Sequence, residues 1–239
     1  MEKCLEKCIF GLIFFGIVLY YYQNTERSGH MLQRKITERI EAFYRNHPQK
    51  ALMIIGVCQV GKSYIIEDYA KKHYQSVIKV DLIENPDYGS LFSKAKSAEE
   101  ILLRLSALFG DRMIPGKTMI FFDEVQECRE LITQIKYLVQ DGTYDYILSG
   151  SLLGTVFKDI VSVPVGYMDI IEMYPLDFEE FASANGVGSK VIDALRNSFE
   201  KKQPVDSFLH ERITKSLQDC FPISSSLLLK AVSQIRLTS

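Results

Sequence analysis

The sequence has few histidines, and its one close cysteine pair, Cys4 and Cys8, has no second pair of metal ligands nearby. Its five cysteines are odd in number and scattered over 239 residues, without a C-x-x-C pair. This pattern argues against both a disulfide framework and a zinc site. The four histidines are dispersed in mostly polar surroundings, and we interpret them as surface residues. A reduced, cytoplasmic setting is the interpretation that follows.

The sequence also lacks an excess of charge of either sign. It has 28 lysines and arginines against 30 aspartates and glutamates, interspersed, with a formal net charge of −2. The composition therefore gives no strong signal for nucleic-acid binding. No internal repeat or low-complexity segment is present. The 47% hydrophobic content suits one α/β domain of about 150 to 200 residues with extensions.

One long apolar run is present, IFGLIFFGIVLYYY at residues 9–22. As a helix it would span about 21 Å, less than a bilayer core of about 30 Å. Flanking lysines could snorkel and the tyrosines could lie at the interface, so one interpretation is a single membrane anchor. The basic residues that follow would then keep the rest of the chain in the cytoplasm. The alternatives are a dispensable extension before a translation start at Met31, and a buried core helix.

The most informative stretch is ALMIIGVCQVGKSYII at residues 51–66. From Gly56 to Ser63 it has the G-x-x-x-x-G-K-S spacing of a phosphate-binding loop. An apolar run typical of a buried strand precedes the loop, and an amphipathic run typical of a helix follows it. A strand-to-helix turn without a ligand is the alternative.

The loop residues suit an anion. Glycines let backbone N–H groups face a phosphate, and the start of the helix adds its positive dipole end. We expect Lys62 to reach the β- and γ-phosphates of a nucleotide and the Ser63 hydroxyl to ligate Mg²⁺. The predicted nucleotide-binding residues are Gly56, Val57, Cys58, Gln59, Val60, Gly61, Lys62, Ser63 and Tyr64.

A second buried strand ends in two acidic residues, within KTMIFFDEVQE at 117–127. Ligands bind at the carboxyl ends of parallel strands, which would place Asp123 and Glu124 beside the phosphate loop. We expect Asp123 to hold Mg²⁺ and Glu124 to polarise an attacking water. The alternative is that the two residues cap the helix that follows.

A third strand, YDYILSGS at 144–151, ends in polar residues. Ser149 at this tip is a candidate catalytic residue that would sense the γ-phosphate or orient the water. An ordinary turn is the alternative.

Strands and helices alternate along the chain, with further strands predicted at 76–82 and 161–174. The order predicts an α/β P-loop NTPase three-layer sandwich with a mostly parallel five-stranded sheet, preceded by an N-terminal hydrophobic helix. The predicted domains are residues 1–30, the hydrophobic segment; 31–186, the ATPase domain; and 187–239, a helical appendage.

Two helices carry recognisable end signals. Ser97 and Glu100 predict a capping box for a helix at 97–110, and Asp177 and Glu180 do so for PLDFEEFASANG. The buried stripe expected on the first of these helices is Ile101, Leu102, Leu105 and Leu108.

Within the P-loop proteins, the patterns favour an ATPase. The acidic pair is expected on a strand that is separated from the phosphate-loop strand. The N-K-x-D base-recognition motif of a GTPase is absent, and so is the arginine-rich lid of a small nucleotide kinase.

The segments ALMIIGVCQVGKS, MIFFDEVQE, YILSGSLLG and MYPLDFEEF resemble the bacterial and archaeal AAA-type ATPases that carry a C-terminal domain of unknown function. The resemblance covers about Met31 to Gly186. It implies ATP and Mg²⁺ as cofactors, with the phosphate loop, the acidic pair and Ser149 in the roles given above. It also implies a protein partner through the C-terminal region and assembly into an oligomer.

The chain departs from this family at three points. Cys58 stands where the family usually has an arginine in the loop, and Tyr167 stands where it has an arginine before the fifth strand. The chain also ends at residue 239, so we expect the C-terminal domain to be truncated or replaced. Three hypotheses follow. Glu124 supports an ATPase that uses slow hydrolysis as a switch, whereas the three departures support a degenerate nucleotide-binding module. Residues 9–22 suggest a membrane-tethered interaction protein, which is compatible with either.

Overall fold

The computed structural model describes residues 34–46, 49–93, 95, 97–151, 166–184 and 186–220, with side chains as far as residue 214. The hydrophobic helix and membrane anchor expected at residues 9–22 lie outside this part of the chain. Among the described helices, none combines the length and apolar character that a membrane crossing requires.

Arg34 to Pro175 form one compact unit, and the described residues from Leu176 onward belong to a second. The first unit contains a sheet of five strands: β1 (Ala51–Gly56), β2 (Ser76–Asp81), β3 (Thr118–Asp123), β4 (Asp145–Ser151) and β5 (Met168–Met173). Their order is β2-β3-β4-β1-β5, and all the described pairings are parallel. The predicted sheet is confirmed. β4 lies between β1 and β3, so the acidic pair follows a strand separated from the phosphate-loop strand, as expected.

Four helices flank this sheet: α1 (Lys35–Arg45), α2 (Lys62–His73), α3 (Ala98–Phe109) and α4 (Arg129–Asp141). Successive strand residues face opposite sides of a sheet. Met53 and its same-face neighbours form one core layer with α3 and α4. On the other face α2 contacts four of the strands, and α1 packs on α2. These are the three layers that the sequence predicts.

The capping box and most of the buried stripe predicted for the helix at 97–110 are confirmed in α3. The Ser97 hydroxyl accepts a hydrogen bond from the Glu100 amide at 3.3 Å. Ile101 and Leu105 are fully buried, but the expectation for Leu108 is wrong, because its side chain is 53% exposed. In the last turn of α3 it is Phe109 that packs against the core.

The described part of the second unit contains three helices: α5 (Phe178–Ala184), α6 (Ser189–Glu200) and α7 (Ser207–Cys220). The predicted capping box is present at the start of α5. The Glu180 amide donates to the Asp177 carboxylate at 2.8 Å, and the Asp177 amide donates to the Glu180 carboxylate at 3.1 Å. The domain boundaries at 30/31 and 186/187 stay predictions.

Candidate functional site

The candidate site begins where β1 ends. Gly56 lies between Ser151 of β4 and Met173 of β5 in the strand register. A Cβ atom on Gly56 would lie 2.4 Å from the Met173 carbonyl oxygen, which is too close for any side chain. The first glycine of the motif is therefore required by the sheet itself, where two neighbouring strands approach each other.

The loop from Val57 to Gly61 turns into α2 through left-handed backbone conformations. Gln59 has φ 64°, and Gly61, the N-cap of α2, has φ 89°. No side chain caps the first turn of α2, so its backbone N–H groups stay available to an anion. Of the predicted loop residues, Val57, Cys58, Gln59 and Tyr64 are exposed, and Val60 is buried.

Lys62 is folded into this loop. Its side chain is 5% exposed, and its Nζ donates to the carbonyl oxygens of Gly56 at 3.2 Å and Val57 at 3.1 Å. The ammonium group therefore lies against the loop, close to the start of α2.

Three predicted residues from separate segments meet at one carboxylate. Asp123, the last residue of β3, is 2% exposed. The Ser63 hydroxyl donates to Asp123 Oδ1 at 3.0 Å, and the Ser149 hydroxyl donates to the same oxygen. The position of β4 between β1 and β3 makes this contact possible. A hydroxyl next to a carboxylate is a hard-oxygen donor set that suits Mg²⁺.

Glu124 follows Asp123 in a left-handed conformation, with φ 56°. Its backbone N–H donates to Ser149 Oγ at 3.2 Å, and its carboxylate accepts a 2.6 Å hydrogen bond from the Gln126 amide. The alternative that the acidic pair caps the next helix is not supported. That helix, α4, starts at Arg129, with Cys128 as N-cap and no side-chain cap.

Lys79 on β2 is part of the site, although the sequence reasoning missed it. Its Nζ lies 3.1 Å from Asp123 Oδ2 and 3.0 Å from Asp81 Oδ2. Burial by itself lowers the pKa of the Lys79 ammonium, but hydrogen bonds and charge attraction from Asp81 and Asp123 outweigh burial, so the pKa lies above its ordinary value. The signal in the sequence was a lysine flanked on both sides by apolar residues in the strand SVIKVDL.

Arg34 was also missed. It is 7% exposed, and its guanidinium donates to the Val60 carbonyl at 3.1 Å and to the Tyr174 carbonyl at 2.7 Å. It therefore ties the phosphate loop to the chain that leaves β5. No local pattern around Arg34 indicates this contact.

The two positions that depart from the family pattern have contacts of their own. The exposed Cys58 thiol lies 3.3 Å from Ser151 Oγ. The Tyr167 hydroxyl accepts a hydrogen bond from the Gln140 amide at 2.7 Å. Both contacts are with neutral groups.

Several solved structures match this chain at low sequence identity. PCH-2 from C. elegans is 15% identical, with a TM-score of 0.37, over 72% of this chain and 48% of that chain. RuvB, the Holliday junction branch migration motor of Thermotoga maritima, is 11% identical, with a TM-score of 0.38, over 68% and 52%. Hsp104 with ATPγS and FITC-casein is 13% identical, with a TM-score of 0.42, over 85% and 41%.

The chain thus spans about half the length of the first two of these structures. A search of curated proteins gives no match. A family model described as an AAA domain, in contrast, matches residues 48–182, which is more than half of the 239 residues and includes β1 through β5. The chain therefore belongs to the AAA domain family of P-loop ATPases.

Proposed function

We propose that this protein binds ATP together with Mg²⁺ and hydrolyses the ATP, and that the cycle acts as a switch. The observation that carries the proposal is the convergence of Lys62, Ser63, Asp123, Ser149 and Glu124 at the carboxyl edge of one sheet. The family supports nucleotide binding in general.

Phosphate binding is the best-supported step. The uncapped first turn of α2 offers backbone N–H donors and the positive end of the helix dipole. The Lys62 ammonium lies within 3.2 Å of the loop carbonyls. With a nucleotide bound, the ammonium would donate to the β- and γ-phosphates.

Ser63 and Asp123 are the residues that we propose as holding Mg²⁺. When bound there, the ion would supply positive charge that offsets the negative charge developing during phosphoryl transfer. Ser149 holds Asp123 Oδ1 by a hydrogen bond and accepts one from the Glu124 backbone, so it orients both acidic residues.

We propose Glu124 as the residue that polarises the attacking water. A carboxylate that accepts a hydrogen bond from a water molecule increases the nucleophilicity of the water oxygen. The left-handed backbone of Glu124 and the hydrogen bond from its N–H to Ser149 fix the direction in which the Glu124 side chain leaves the backbone.

The missing N-K-x-D motif supports ATP rather than GTP as the nucleotide.

A nucleotide-binding module with little hydrolysis is the second candidate function. Its supporting observation is that Cys58 and Tyr167, which contact neutral groups here, stand where the resembled family usually has arginines. Loss of one positioned donor near a transferring group typically lowers kcat by about 10² to 10³.

Several broader assignments also stay proposals. They are a protein partner bound through residues 187–239, assembly into an oligomer, and a membrane anchor at residues 9–22.

The test is Mg²⁺-dependent ATP turnover by the full chain, compared with Glu124→Gln and the control Glu127→Gln. Glu127 is a nearby exposed acid in the same short turn. We expect Glu124→Gln to lose about 10² to 10³ in kcat while the Kd for ATP is retained, and Glu127→Gln to resemble the wild type. A wild type no faster than Glu124→Gln would favour the binding module.

A further inference from the structure

The Glu124 carboxylate is held by a neighbouring side chain, that of Gln126. Gln126 lies in the short 3₁₀ turn Val125–Glu127. Its Nε2 donates to Glu124 Oε2 at 2.6 Å, and its Oε1 accepts from the Ser151 backbone N–H at 3.1 Å. One amide thus joins the carboxylate to the end of β4.

The two partners fix the orientation of this amide. A carboxylate only accepts hydrogen bonds and a backbone N–H only donates, so a flipped amide would lose both contacts. The side chain therefore has one favoured arrangement at this edge of the sheet.

The contacts continue into the phosphate loop. Ser151 ends β4 opposite Gly56 in the register, and its hydroxyl lies 3.3 Å from the Cys58 thiol. Cys58, Ser151, Gln126 and Glu124 form a continuous hydrogen-bonded chain from the loop to the carboxylate.

We propose that Gln126 is a positioning residue that holds the Glu124 carboxylate at the carboxyl edge of β3 and β4. This inference rests on the proposed function. Glutamate has three side-chain torsions, so an unheld carboxylate would spread over many positions. The bond from Gln126 restricts it to one, and the anchor on the Ser151 backbone keeps Gln126 itself in place.

A kinetic comparison tests the role in hydrolysis. Gln126→Met keeps the size of the side chain and removes both hydrogen bonds. We expect kcat for ATP to fall about 10- to 100-fold, the usual effect of losing a hydrogen bond to a charged group. The Kd for ATP should stay within about twofold, because Gln126 is not among the phosphate-binding residues. A kcat equal to that of the wild type would overturn the inference.

A positioning residue must act through the residue that it positions. In single-turnover measurements, Gln126→Met should therefore lower the rate little or not at all in a Glu124→Gln background. An equal fall in both backgrounds would show that Gln126 acts independently of Glu124 and would contradict the proposal.

Two further variants control for damage to the fold. Gln126→Glu keeps the shape and the acceptor for Ser151 but places a second carboxylate against Glu124, and kcat should fall at least as much. Gln134→Met removes another glutamine that bridges two groups, the carbonyls of Phe92 and Ala95, at 2.8 and 3.3 Å. Its kcat should match the wild type even if the protein is less stable.

A second readout needs no turnover. In urea denaturation of the nucleotide-free full chain, Gln126→Met and Glu124→Met remove the same hydrogen bond. The midpoint shift of the double variant should therefore be smaller than the sum of the single shifts. Additive shifts would show that the bond is absent.

The outcomes separate this inference from the proposed function. If the wild type binds ATP without hydrolysing it, both the proposed ATPase activity and the positioning role of Gln126 are overturned. Wild-type turnover that Gln126→Met leaves unchanged overturns the positioning role alone.

Discussion

Replacement of Gly56 by alanine tests how tightly the sheet closes around the start of the phosphate loop. The added Cβ would lie 2.4 Å from the Met173 carbonyl oxygen, whereas real Cβ atoms stay at 3.0 Å or more, so β1 and β5 must separate by at least 0.6 Å (3.0 − 2.4) at this end. The obstacle is backbone of a paired strand, which cannot turn aside as a side chain could.

Overpacking with a backbone shift typically destabilises by about 1 to 3 kcal/mol. Alanine also restricts the unfolded chain, which offsets about 0.4 to 1 kcal/mol of this loss. We therefore expect Gly56→Ala to lose about 1 to 2 kcal/mol, measured as a lower midpoint in urea denaturation followed by far-ultraviolet circular dichroism. ATP binding should weaken too, since Val57 and the rest of the loop follow directly.

Two other glycines are matched controls. At Gly150 the nearest atom is the terminal methyl of Met53 at 3.1 Å, which can move, so Gly150→Ala should change stability little. At Gly89 no atom lies within 4 Å and the backbone is not left-handed, so Gly89→Ala should gain about 0.4 to 1 kcal/mol. A Gly56→Ala midpoint at or above that of the wild type would refute the reasoning and the close approach of β5 to β1.

Substitutions at four further residues have expected outcomes. Tyr146→Phe removes a buried hydroxyl that has no hydrogen-bond partner among the described residues. The free energy of unfolding of Tyr146→Phe should equal that of the wild type or exceed it by as much as about 3 kcal/mol. A lower midpoint in urea denaturation would contradict this. Tyr44→Phe loses the 2.9 Å bond to the Tyr146 carbonyl, so unfolding by urea should show a loss of about 0.5 to 1.5 kcal/mol. Burial by itself raises the pKa of the Asp81 carboxyl, but backbone amides and Lys79 outweigh burial and the pKa lies below its ordinary value. The contribution of the Asp81 carboxylate to the free energy of unfolding is therefore fully present above the unfolded-state pKa of about 3.9. It is lost as the pH falls through the lower folded-state pKa. Acid unfolding should therefore destabilise the wild type more steeply than Asp81→Asn as the pH falls. Parallel stability–pH curves for the two proteins would contradict this expectation. Arg34→Lys can reach only one of the two carbonyls that the guanidinium joins, so ATP affinity should fall about tenfold, with Arg34→Met lower still. Equal ATP titrations for wild type, lysine and methionine variants would show that Arg34 does not support the loop.

The parts of the site that the sequence predicts are those governed by local backbone geometry. Gly56 and Gly61 occupy positions that demand glycine for steric and conformational reasons, and these demands leave a fixed spacing. The acidic pair follows a buried strand, and parallel strands place their carboxyl ends at one edge. Local patterns therefore predict the sheet, the loop and the proximity of Asp123 to Ser63.

The supporting contacts could not be predicted in this way, because their partners are distant in sequence. Arg34 and Tyr174 are 140 residues apart, and the Lys79 contact with Asp123 depends on which strand lies beside β2. Gln126 lies two residues after Glu124, but its bond to Ser151 exists only because β4 adjoins β3. A local pattern can also mislead, as Leu108 shows. Helical spacing does not decide which side chain in the last turn of a helix reaches the core.

The central claim is that the loop around Lys62 binds the phosphates of ATP. The most direct measurement is the ATP dissociation constant of the full chain by titration calorimetry, with Mg²⁺ and with chelator, for the wild type, Lys62→Ala and Lys71→Ala. Lys71 is an exposed lysine on the same helix that pairs with Glu67 at 2.9 Å. The account predicts Mg²⁺-dependent binding that Lys62→Ala weakens about 10- to 100-fold or more, and that Lys71→Ala leaves unchanged. Equal affinity in the wild type and Lys62→Ala would contradict it.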